Sequence, residues 1–270
     1  MSQAASKLAL PMNLVAGIDS GSTTTKFVLL REGEIEASYV VPTGANSRGA
    51  QRKVMEVVKK SSCVEQGDLK AFVATGYGRH NIEGATKQVS EITCQAKAIN
   101  WLYPSARVII DIGGQDFKII EIDAKGHVAH FAMNEKCAAG TGRYLELMAG
   151  VFAMNLDEFS LAAGSAQKSV EISSFCSVFA ETEVVGHIAR GTEEHEVVAG
   201  IYNAVAKRVC SLAKRHLAGK SEVVFAGGVA KNSGMVSALE RISGCAVLVP
   251  PQPQITGALG AALFARDAAK

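Results

Sequence analysis

Two cysteines lie in polar stretches rich in glycine or serine, where redox or metal chemistry is possible. Cys137 precedes the glycines of Asn134–Arg143, and Cys176 lies within Ser173–Glu183. A helical run is predicted after each cysteine, and converging N–H groups at a helix N-terminus stabilise a thiolate. The sequence therefore predicts that Cys137 and Cys176 each open a helix and could together hold half of a metal cluster.

A [4Fe–4S] cluster requires four thiolates, which two cysteines of one chain cannot supply. A two-fold dimer would double Cys137 and Cys176 and provide all four. The simpler alternative stays open at this point, because a lone cysteine is more often a small buried hydrophobe. We prefer that interpretation for the other cysteines, at positions 63, 94, 210 and 245. The six histidines show no metal-ligand spacing and are interpreted as surface or turn residues.

Two polar turns, each after an apolar strand that ends in aspartate, are candidates for phosphate binding. The strand at residues 14–18 ends at Asp19 before the turn 20–25, and the strand at 107–110 ends at Asp111. Glycine lets backbone amides approach an anion closely, and hydroxyl groups and a lysine add donors. The aspartates could hold Mg²⁺ through water and orient an attacking water. The alternative is a pair of ordinary hairpins with polar turns.

The two turns occur in a repeated pattern. Asp19 and Lys26 are seven positions apart, as are Asp111 and Lys118, and similar strands flank both pairs. Agreement of several residue types in one register indicates an internal duplication. Each half is predicted to be three strands joined by turns and followed by helices, so we expect two similar lobes that face one another.

Apolar periodicity places the elements and the domain boundaries. A first lobe is expected at 14–105 after a leader at 1–13, and a second lobe with the cysteines at 106–253. A C-terminal helix at about 254–270 is expected to pack back on the first lobe. The predicted strands are 14–18, 26–30, 35–41, 69–75, 107–110, 117–122, 222–225 and 246–249, and the predicted helices are 50–61, 90–102, 143–148, 194–217 and 234–242. The helix after Cys176 carries Val178, Phe179, Thr182, Val185 and Ile188 on roughly one face.

Composition excludes several classes of protein. The 270 residues are 48% hydrophobic, and 28 basic residues nearly balance 26 acidic ones. No basic block is present, so we expect no nucleic-acid partner. The uncharged run 242–264 is interrupted by prolines and is too short on either side to span a membrane. The absence of C-x-x-C pairs and of a secretory signal predicts a protein of the reducing cytoplasm.

Seven stretches together resemble the activator component of 2-hydroxyacyl-CoA dehydratases, whose relatives include the ATPase subunits of benzoyl-CoA reductase. They are Gly17–Lys26, Ala74–Arg79, Asp111–Asp116, Asn134–Arg143, Phe175–Glu181, Phe225–Asn232 and Gln254–Ala262. The two cysteine stretches are the specific ones. The phosphate turns alone indicate only the wider superfamily of actin, sugar kinases and heat-shock ATPases.

The resemblance implies an α/β fold, duplicated as in that superfamily, with two lobes around a nucleotide cleft. It implies a homodimer with one oxygen-sensitive [4Fe–4S] cluster, bound by Cys137 and Cys176 of both chains. It further implies an ATPase coupled to electron transfer, with ATP or ADP and Mg²⁺ as ligands. Ferredoxin or flavodoxin would reduce this protein, which would pass one electron to a two-subunit 2-hydroxyacyl-CoA dehydratase or a related reductase.

These arguments together predict a set of site residues. The predicted catalytic residues are Asp19, Asp111 and Gln115, and the predicted cluster ligands are Cys137 and Cys176. The predicted nucleotide ligands are Ser22, Thr23, Thr24, Thr25, Lys26, Gly113, Gly114, Gln115, Asp116, Gly227, Gly228 and Gln254.

Two other functions are compatible with the phosphate turns. A small-molecule kinase of the same superfamily would need a substrate-binding aspartate in the cleft, and no motif supplies one clearly. A non-catalytic or filament-forming ATP switch would need no cluster either. Only the activator hypothesis uses both cysteine stretches.

Overall fold

The computed structural model describes residues 14–173 and 176–270, so the predicted leader at 1–13 lies outside the described residues. The described chain divides into two compact units. One contains the residues up to Cys94 together with Gly257–Lys270, and the other is Gln95–Thr256. The division therefore lies inside a helix at 94/95, whereas the sequence analysis expected it near residue 105.

The first unit is built on a mixed five-stranded sheet. Its strands are β1 (Leu14–Ser20), β2 (Thr24–Arg31), β3 (Glu34–Pro42), β4 (Ala71–Thr75) and β5 (Lys87–Gln88). The order across the sheet is β3-β2-β1-β4-β5. β1 to β3 form an antiparallel meander, and β4 pairs parallel with β1. The carboxyl ends of β1 and β4 consequently lie at the same edge of the sheet.

Helix α1 (Ser47–Ser62) covers one face of this sheet. It starts at Asn46, whose side chain accepts hydrogen bonds from the first amides of the helix. Val54 and Val58 pack against the apolar side chains of β1 and β2. The helix ends at Cys63, which takes a left-handed conformation with φ 54° and is exposed. The interpretation of Cys63 as a buried hydrophobe is therefore wrong, because it lies at a helix end beyond the apolar stripe.

Helix α8 (Thr256–Ala268) belongs to the first unit from Gly257 onward and packs directly on β1. A Cβ added to Gly17 would lie 2.2 Å from the Ala258 oxygen and 2.2 Å from the Ala262 nitrogen. Strand and helix backbones are thus in contact at this point. Such an approach requires the small residues that the sequence supplies on both elements.

The second unit repeats the sheet of the first. Its strands are β6 (Val108–Ile112), β7 (Phe117–Ile122), β8 (Val128–Asn134), β9 (Glu222–Ala226) and β10 (Ala246–Leu248), in the order β10-β9-β6-β7-β8. Asp111 pairs with Lys118 in the register in which Asp19 pairs with Lys26. The predicted internal duplication and the α/β fold class are confirmed.

Helices cover the second sheet and supply most of its core. They are α3 (Gly142–Val151), α4 (Leu156–Ser165), α5 (Ser177–Ala189), α6 (Glu194–Leu217) and α7 (Ser233–Ser243), while α2 (Glu91–Leu102) crosses the division between the units. The prediction of α6 is confirmed at both ends. The sequence analysis missed α4, although Asn155 and Glu158 form the capping box that marks its start.

A buried histidine links the end of α6 to β7. His216 is 2% exposed, and its Nδ1 lies 3.1 Å from Glu121 Oε2. Its Nε2 accepts a hydrogen bond from Arg215 Nε, so Nδ1 carries the proton that is donated to the carboxylate. This hydrogen bond holds the pKa of Glu121 below its usual value. The expectation that His216 is a surface residue is wrong, because it serves as a buried cross-link between two elements.

Within residues 14–173 and 176–270, no helix is both long enough and apolar enough to cross a membrane. The uncharged run 242–264 is divided between the end of α7, β10 and α8, with Pro250, Pro251 and Pro253 between the last two. The prolines thus interrupt the apolar run as the sequence analysis expected.

Candidate nucleotide and cysteine sites

The first candidate turn joins β1 to β2 and carries an ion pair. Lys26 Nζ lies 3.0 Å from Asp19 Oδ2, and the lysine and aspartate side chains are 15% and 14% exposed. The two residues are direct neighbours across the antiparallel pair β1·β2. The lysine therefore balances the charge of an aspartate that sits at the carboxyl edge of the sheet.

Glycines surround this aspartate. Gly76 follows β4 with φ +85°, and a Cβ there would lie 2.3 Å from Asp19 Oδ1. A Cβ on Gly257 would lie 3.1 Å from Asp19 Oδ2. Because these positions have no side chains, they bring backbone close to the carboxylate without covering it. The absence of side chains at these positions leaves space beside the carboxylate that a ligand could occupy.

The turn itself is shorter than predicted, because β2 already begins at Thr24. Thr25 is completely buried and hydrogen-bonds Thr43 Oγ1 at 2.9 Å, and Thr43 in turn donates to the Gly21 oxygen at 2.8 Å. The Thr25 hydroxyl is thus engaged in holding the turn in place. Thr43 therefore helps to hold the turn in place. The sequence analysis missed it because Thr43 follows β3 and lies far from the turn in the sequence.

Two further hydroxyl groups, of Ser20 and Thr23, are buried at this turn. In the part of the chain that the structure describes, neither Ser20 Oγ nor Thr23 Oγ1 has a hydrogen-bond partner. Buried polar atoms are nearly always satisfied, so orphaned hydroxyls indicate a bound group. Ser22, the other hydroxyl of the turn, is exposed. The geometry is that of a turn with donors available to an anion.

The second candidate turn, between β6 and β7, has the same construction. Gly113 N donates to the Asp116 oxygen at 2.9 Å, as Gly21 N donates to the Thr24 oxygen at 3.2 Å. Gly227 follows β9 with φ +87°, and a Cβ there would lie 2.5 Å from Asp111 Oδ1. Gly227 therefore stands over Asp111 as Gly76 stands over Asp19. The duplication extends to the glycine above each aspartate, which the sequence analysis did not foresee.

The polar residues of this second turn differ in their burial. Asp116 is nearly buried and its Oδ2 lies 2.9 Å from Lys118 Nζ. Asp111 is 7% exposed, whereas Gln115 is exposed. Gln115 is consequently the residue of the turn whose side chain is most accessible to solvent.

Gln254 lies beside Gly227 and Gly228, as a site in this region requires. The Gly227 amide donates to the Pro253 oxygen at 2.9 Å, and a Cβ on Gly228 would lie 3.7 Å from Gln254 Nε2. Lys231 Nζ donates to Gln254 Oε1 at 2.8 Å. Lys231 was missed by the sequence analysis, although it belongs to the Phe225–Asn232 stretch.

Cys137 does not open a helix. The N-cap of α3 is Thr141, and the half-buried Cys137 lies in the connection between β8 and α3. The first amides of α3, at Gly142 and Arg143, donate to the Gly113 and Gly114 oxygens at 2.9 Å each. The predicted stabilisation of Cys137 by this helix start is therefore wrong, because the amides serve the phosphate-turn candidate instead.

Cys176 does open a helix, as predicted, because it is the exposed N-cap residue of α5. The buried face of α5 consists of Ala180 and Val184. The larger apolar side chains point outward, with exposed fractions of 65% for Val178 and 68% for Phe179. The apolar stripe read from the sequence is thus largely unpartnered within the described chain. Residues 174 and 175, which precede Cys176, lie outside the described residues.

Polar side chains secure the chain near both cysteines. The Glu183 carboxylate accepts hydrogen bonds from Ser173 N and Ser173 Oγ at 3.1 Å. Asn134 Nδ2 donates to the Cys137 oxygen at 3.0 Å. The sequence analysis gave Asn134 no function. The function of Asn134 could have been predicted from its position at the end of a strand before a loop, because asparagine side chains there commonly hydrogen-bond to nearby backbone.

Three of the other cysteines, Cys94, Cys210 and Cys245, lie in or against the hydrophobic cores. Desolvation raises the pKa of the Cys94 thiol to about 12 and that of Cys210 to about 11. Cys245 is buried and packs in the core of the second unit. Burial thus favours the neutral thiol at Cys94 and Cys210, as expected for cysteines packed among apolar side chains. The interpretation of Cys94, Cys210 and Cys245 as core residues agrees with the structure.

One chain supplies an incomplete donor set for a metal cluster. Among the described residues, no group of three or more histidine, cysteine, aspartate or glutamate side chains could hold a metal ion. Cys137 and Cys176 lie in one unit, before helices α3 and α5 that contact each other. Iron–sulfur clusters are bound by cysteine thiolates, and a [4Fe–4S] cluster takes four of them. Cys137 and Cys176 are therefore ligands of the right chemical type and would supply two of the four.

The sequence matches the profile of the BadF/BadG/BcrA/BcrD ATPase family over residues 16–265. The chain belongs to this ATPase family. The match covers both duplicated turns and both cysteine stretches. The resemblance read from the seven motifs is confirmed.

Similar proteins in the family act on acyl-CoA dehydratases. The activator of lactoyl-CoA dehydratase from Anaerotignum propionicum is 48% identical over 255 residues, covering 94% of this chain and 98% of that protein. The (R)-2-hydroxyglutaryl-CoA dehydratase activating ATPase of Acidaminococcus fermentans is 42% identical over 257 residues, with coverage of 94% and 98%. The structure of the 2-hydroxyisocaproyl-CoA dehydratase activator from Clostridium difficile with bound ADPNP superimposes with a TM-score of 0.89. Identity is 44%, and 95% of each chain is covered.

The wider fold relationship is confirmed by a more distant structure. A ROK family glucokinase from Streptomyces griseus in complex with glucose and AMPPNP has a TM-score of 0.56 at 15% identity. The match covers 94% of this chain and all of that one. At this level of identity the likeness establishes the shared fold alone.

Proposed function

We propose that this protein is an ATP-dependent one-electron donor that activates a 2-hydroxyacyl-CoA dehydratase or a related acyl-CoA reductase. One observation carries the proposal. The Gly113 and Gly114 carbonyls bind the first amides of α3, directly after the segment that contains Cys137. The proposed nucleotide turn is thereby hydrogen-bonded to the start of the helix that follows the Cys137 segment, within one unit.

We assign nucleotide binding to the two duplicated turns. Ser22, Thr23, Thr24 and Lys26 of the first turn and Gly113, Gly114, Gln115 and Asp116 of the second are the proposed phosphate ligands. The orphaned hydroxyl at Thr23 supports this assignment. Because the Thr25 hydroxyl is already bound to Thr43, we give Thr25 a supporting role at the turn. The ADPNP bound by a relative of 44% identity supports the choice of nucleotide.

Asp19 and Asp111 are the proposed Mg²⁺-binding and water-orienting residues. Each is positioned by a β-strand and lies under a glycine with positive φ. Carboxylates so placed bind Mg²⁺ through its water shell and can orient an attacking water, with Gln115 as a further candidate for that task. The adenosine is proposed to lie against Gly227 and Gly228 beside Gln254.

We propose that two copies of the chain share one [4Fe–4S] cluster through Cys137 and Cys176. A second copy is required because one chain offers only half of the ligands. The outward apolar side chains Val178, Phe179 and Val185 of α5 give that copy a surface to cover. Such a cluster would supply one-electron transfer at low potential. The residues of this chain would hold it and shield it at the interface.

The partners follow from the same assignment. Ferredoxin or flavodoxin is the proposed source of the electron, and a two-subunit dehydratase or related reductase is its acceptor. We expect the active protein to be oxygen-sensitive, because oxidants can reach an iron–sulfur cluster held at an interface. We expect it to be cytoplasmic, because a reducing compartment keeps cysteines free to bind the cluster.

The proposal predicts a specific product of anaerobic reconstitution with iron and sulfide. We expect a brown dimer with about four irons per pair of chains. Reduced protein should transfer an electron to a dehydratase only while ATP is hydrolysed. Iron analysis, light scattering and an ATP-dependent reduction assay measure these three properties. A colourless dimer, or ADP release that depends on an added sugar, would contradict the proposal and favour the kinase alternative.

Replacement of Gly227 by alanine tests the nucleotide assignment. The added Cβ would lie 2.3 Å from the Ile112 oxygen and 2.5 Å from Asp111 Oδ1, in a backbone region with φ 87° and ψ 175°. Such a conformation costs a non-glycine residue about 1–3 kcal/mol, and the contacts force the second turn to move. We expect ADP affinity, measured by calorimetry, to fall more than about tenfold. Gly164→Ala in α4 is the matched control in the same unit, because Gly164 is exposed and an added Cβ there meets no atom within 4 Å.

A further inference from the structure

The segment that carries Cys137 is bound by a side chain from the preceding strand. Asn134, the last residue of β8, donates from Nδ2 to the Cys137 oxygen at 3.0 Å and to the Ala139 oxygen at 3.4 Å. Both partners are carbonyl oxygens, so the amide must turn its NH₂ group toward them. One side chain therefore binds the backbone at the cysteine and again beyond it.

Other contacts fix the far end of the segment. Thr141 is completely buried, and its Oγ1 donates to the Ala138 oxygen at 2.6 Å. Gly140 has φ +94°, and a Cβ there would lie 2.9 Å from the Phe117 ring. Phe117 is also the residue paired with Asn134 across β7·β8. The segment is thus anchored on β7 and α3, while Asn134 reaches the backbone of Cys137 itself.

The two residues between Asn134 and Cys137 lie at the surface. Glu135 and Lys136 are exposed, and Cys137 is half-buried. Loss of the Asn134 donors would leave two carbonyl oxygens to find new partners, and the segment would move to expose them to water. The position of the Cys137 sulfur depends on that backbone. Groups that orient a metal ligand in this way typically change metal affinity by about 10- to 100-fold when removed.

We propose that Asn134 is a positioning residue that holds Cys137 in the conformation required for cluster binding. The inference rests on the proposed function, because the conformation of Cys137 has this importance only if Cys137 binds the cluster. Asn134 touches the backbone of the ligand and not the cluster. Its contribution is to limit the motion of one thiolate before and after the cluster is bound.

Two variants separate the donors from the shape of the side chain. Asn134→Ala removes both hydrogen bonds, and Asn134→Asp keeps the shape but directs a carboxylate at two carbonyl oxygens. Asn155→Asp is the matched control, because it adds the same charge in the same unit and aspartate retains the acceptor that caps α4. If Asn134→Asp fails to fold, Asn134→Ala alone still gives the measurement.

The first readout uses the cluster-free chain. Iodoacetamide alkylation of Cys137 is followed by mass spectrometry, with Cys176 and Cys63 of the same molecule as internal references. We expect Cys137 to react about tenfold faster in Asn134→Ala. Asn134→Asp is assessed by iron loss, because its carboxylate itself disfavours a nearby thiolate and slows alkylation. The second readout is the anaerobic rate of iron loss to a chelator from the reconstituted dimer, which we expect to rise about tenfold.

The outcomes distinguish this inference from the proposed function. If the unaltered dimer binds iron, both variants match it in iron loss and Asn134→Ala matches it in Cys137 alkylation, the positioning role is overturned and the proposed function stands. Equal acceleration at Cys137, Cys176 and Cys63 also overturns it, because that result indicates general loosening of the fold. If the unaltered chain takes up no iron, the cluster assignment of Asn134 fails together with the proposed function, whatever the alkylation rates.

Discussion

Cys137→Ser is expected to abolish iron binding and ATP-driven electron transfer while leaving nucleotide binding intact. The substitution removes two of the four thiolates in a dimer, and serine is a poor ligand for iron–sulfur clusters. Nucleotide binding should persist, because the backbone bonds from α3 to the second turn involve Gly142 and Arg143 and not the cysteine. Cys176→Ser should behave in the same way.

Visible absorption, iron content and ADP calorimetry on the same anaerobic preparation check this expectation. Cys63→Ser is the control, because Cys63 is also exposed but lies at the end of α1 in the other unit. It should keep full iron content and activity. A Cys137→Ser protein that still binds about four irons per dimer would show that other residues hold the cluster.

Gly17→Ala is expected to cause a large loss of stability in the first unit. The new Cβ would lie 2.2 Å from backbone atoms of Ala258 and Ala262 in α8, and backbone atoms cannot rotate away as a flexible side chain can. Overpacking of this kind costs about 3 kcal/mol or more, because α8 must shift as a whole. In a protein of this size that loss lowers the melting temperature by roughly 6–12 °C.

Calorimetric or circular-dichroism melting curves measure the effect, with Gly67→Ala as the matched control. Gly67 is exposed, and an added Cβ there meets no atom within 4 Å. Its melting temperature should change by no more than about 1–2 °C. A Gly17→Ala protein as stable as the control would mean that α8 does not rest on β1 as closely as the structure shows.

Local sequence patterns were informative wherever local physics decides the structure. The spacing of Asp19 and Lys26, repeated at Asp111 and Lys118, is set by a two-strand register, so the duplication was visible in the sequence. Apolar spacing over many turns likewise predicted both ends of α6, because a long helix averages over single exceptions. The α/β class followed from these regularities, whereas the family was indicated by the resemblance of seven motifs, above all the two cysteine stretches.

Contacts between distant segments decided the rest. Periodicity showed that Val178, Phe179 and Val185 share a face of α5, but only packing shows that this face has no partner in the described chain. Spacing brought Cys137 near a helix, yet the start of α3 is bound to Gly113 and Gly114. Whether a helix end or a side chain is available depends on what the fold has already placed against it. The pattern of residues along the sequence does not contain that information, because it depends on contacts between distant segments.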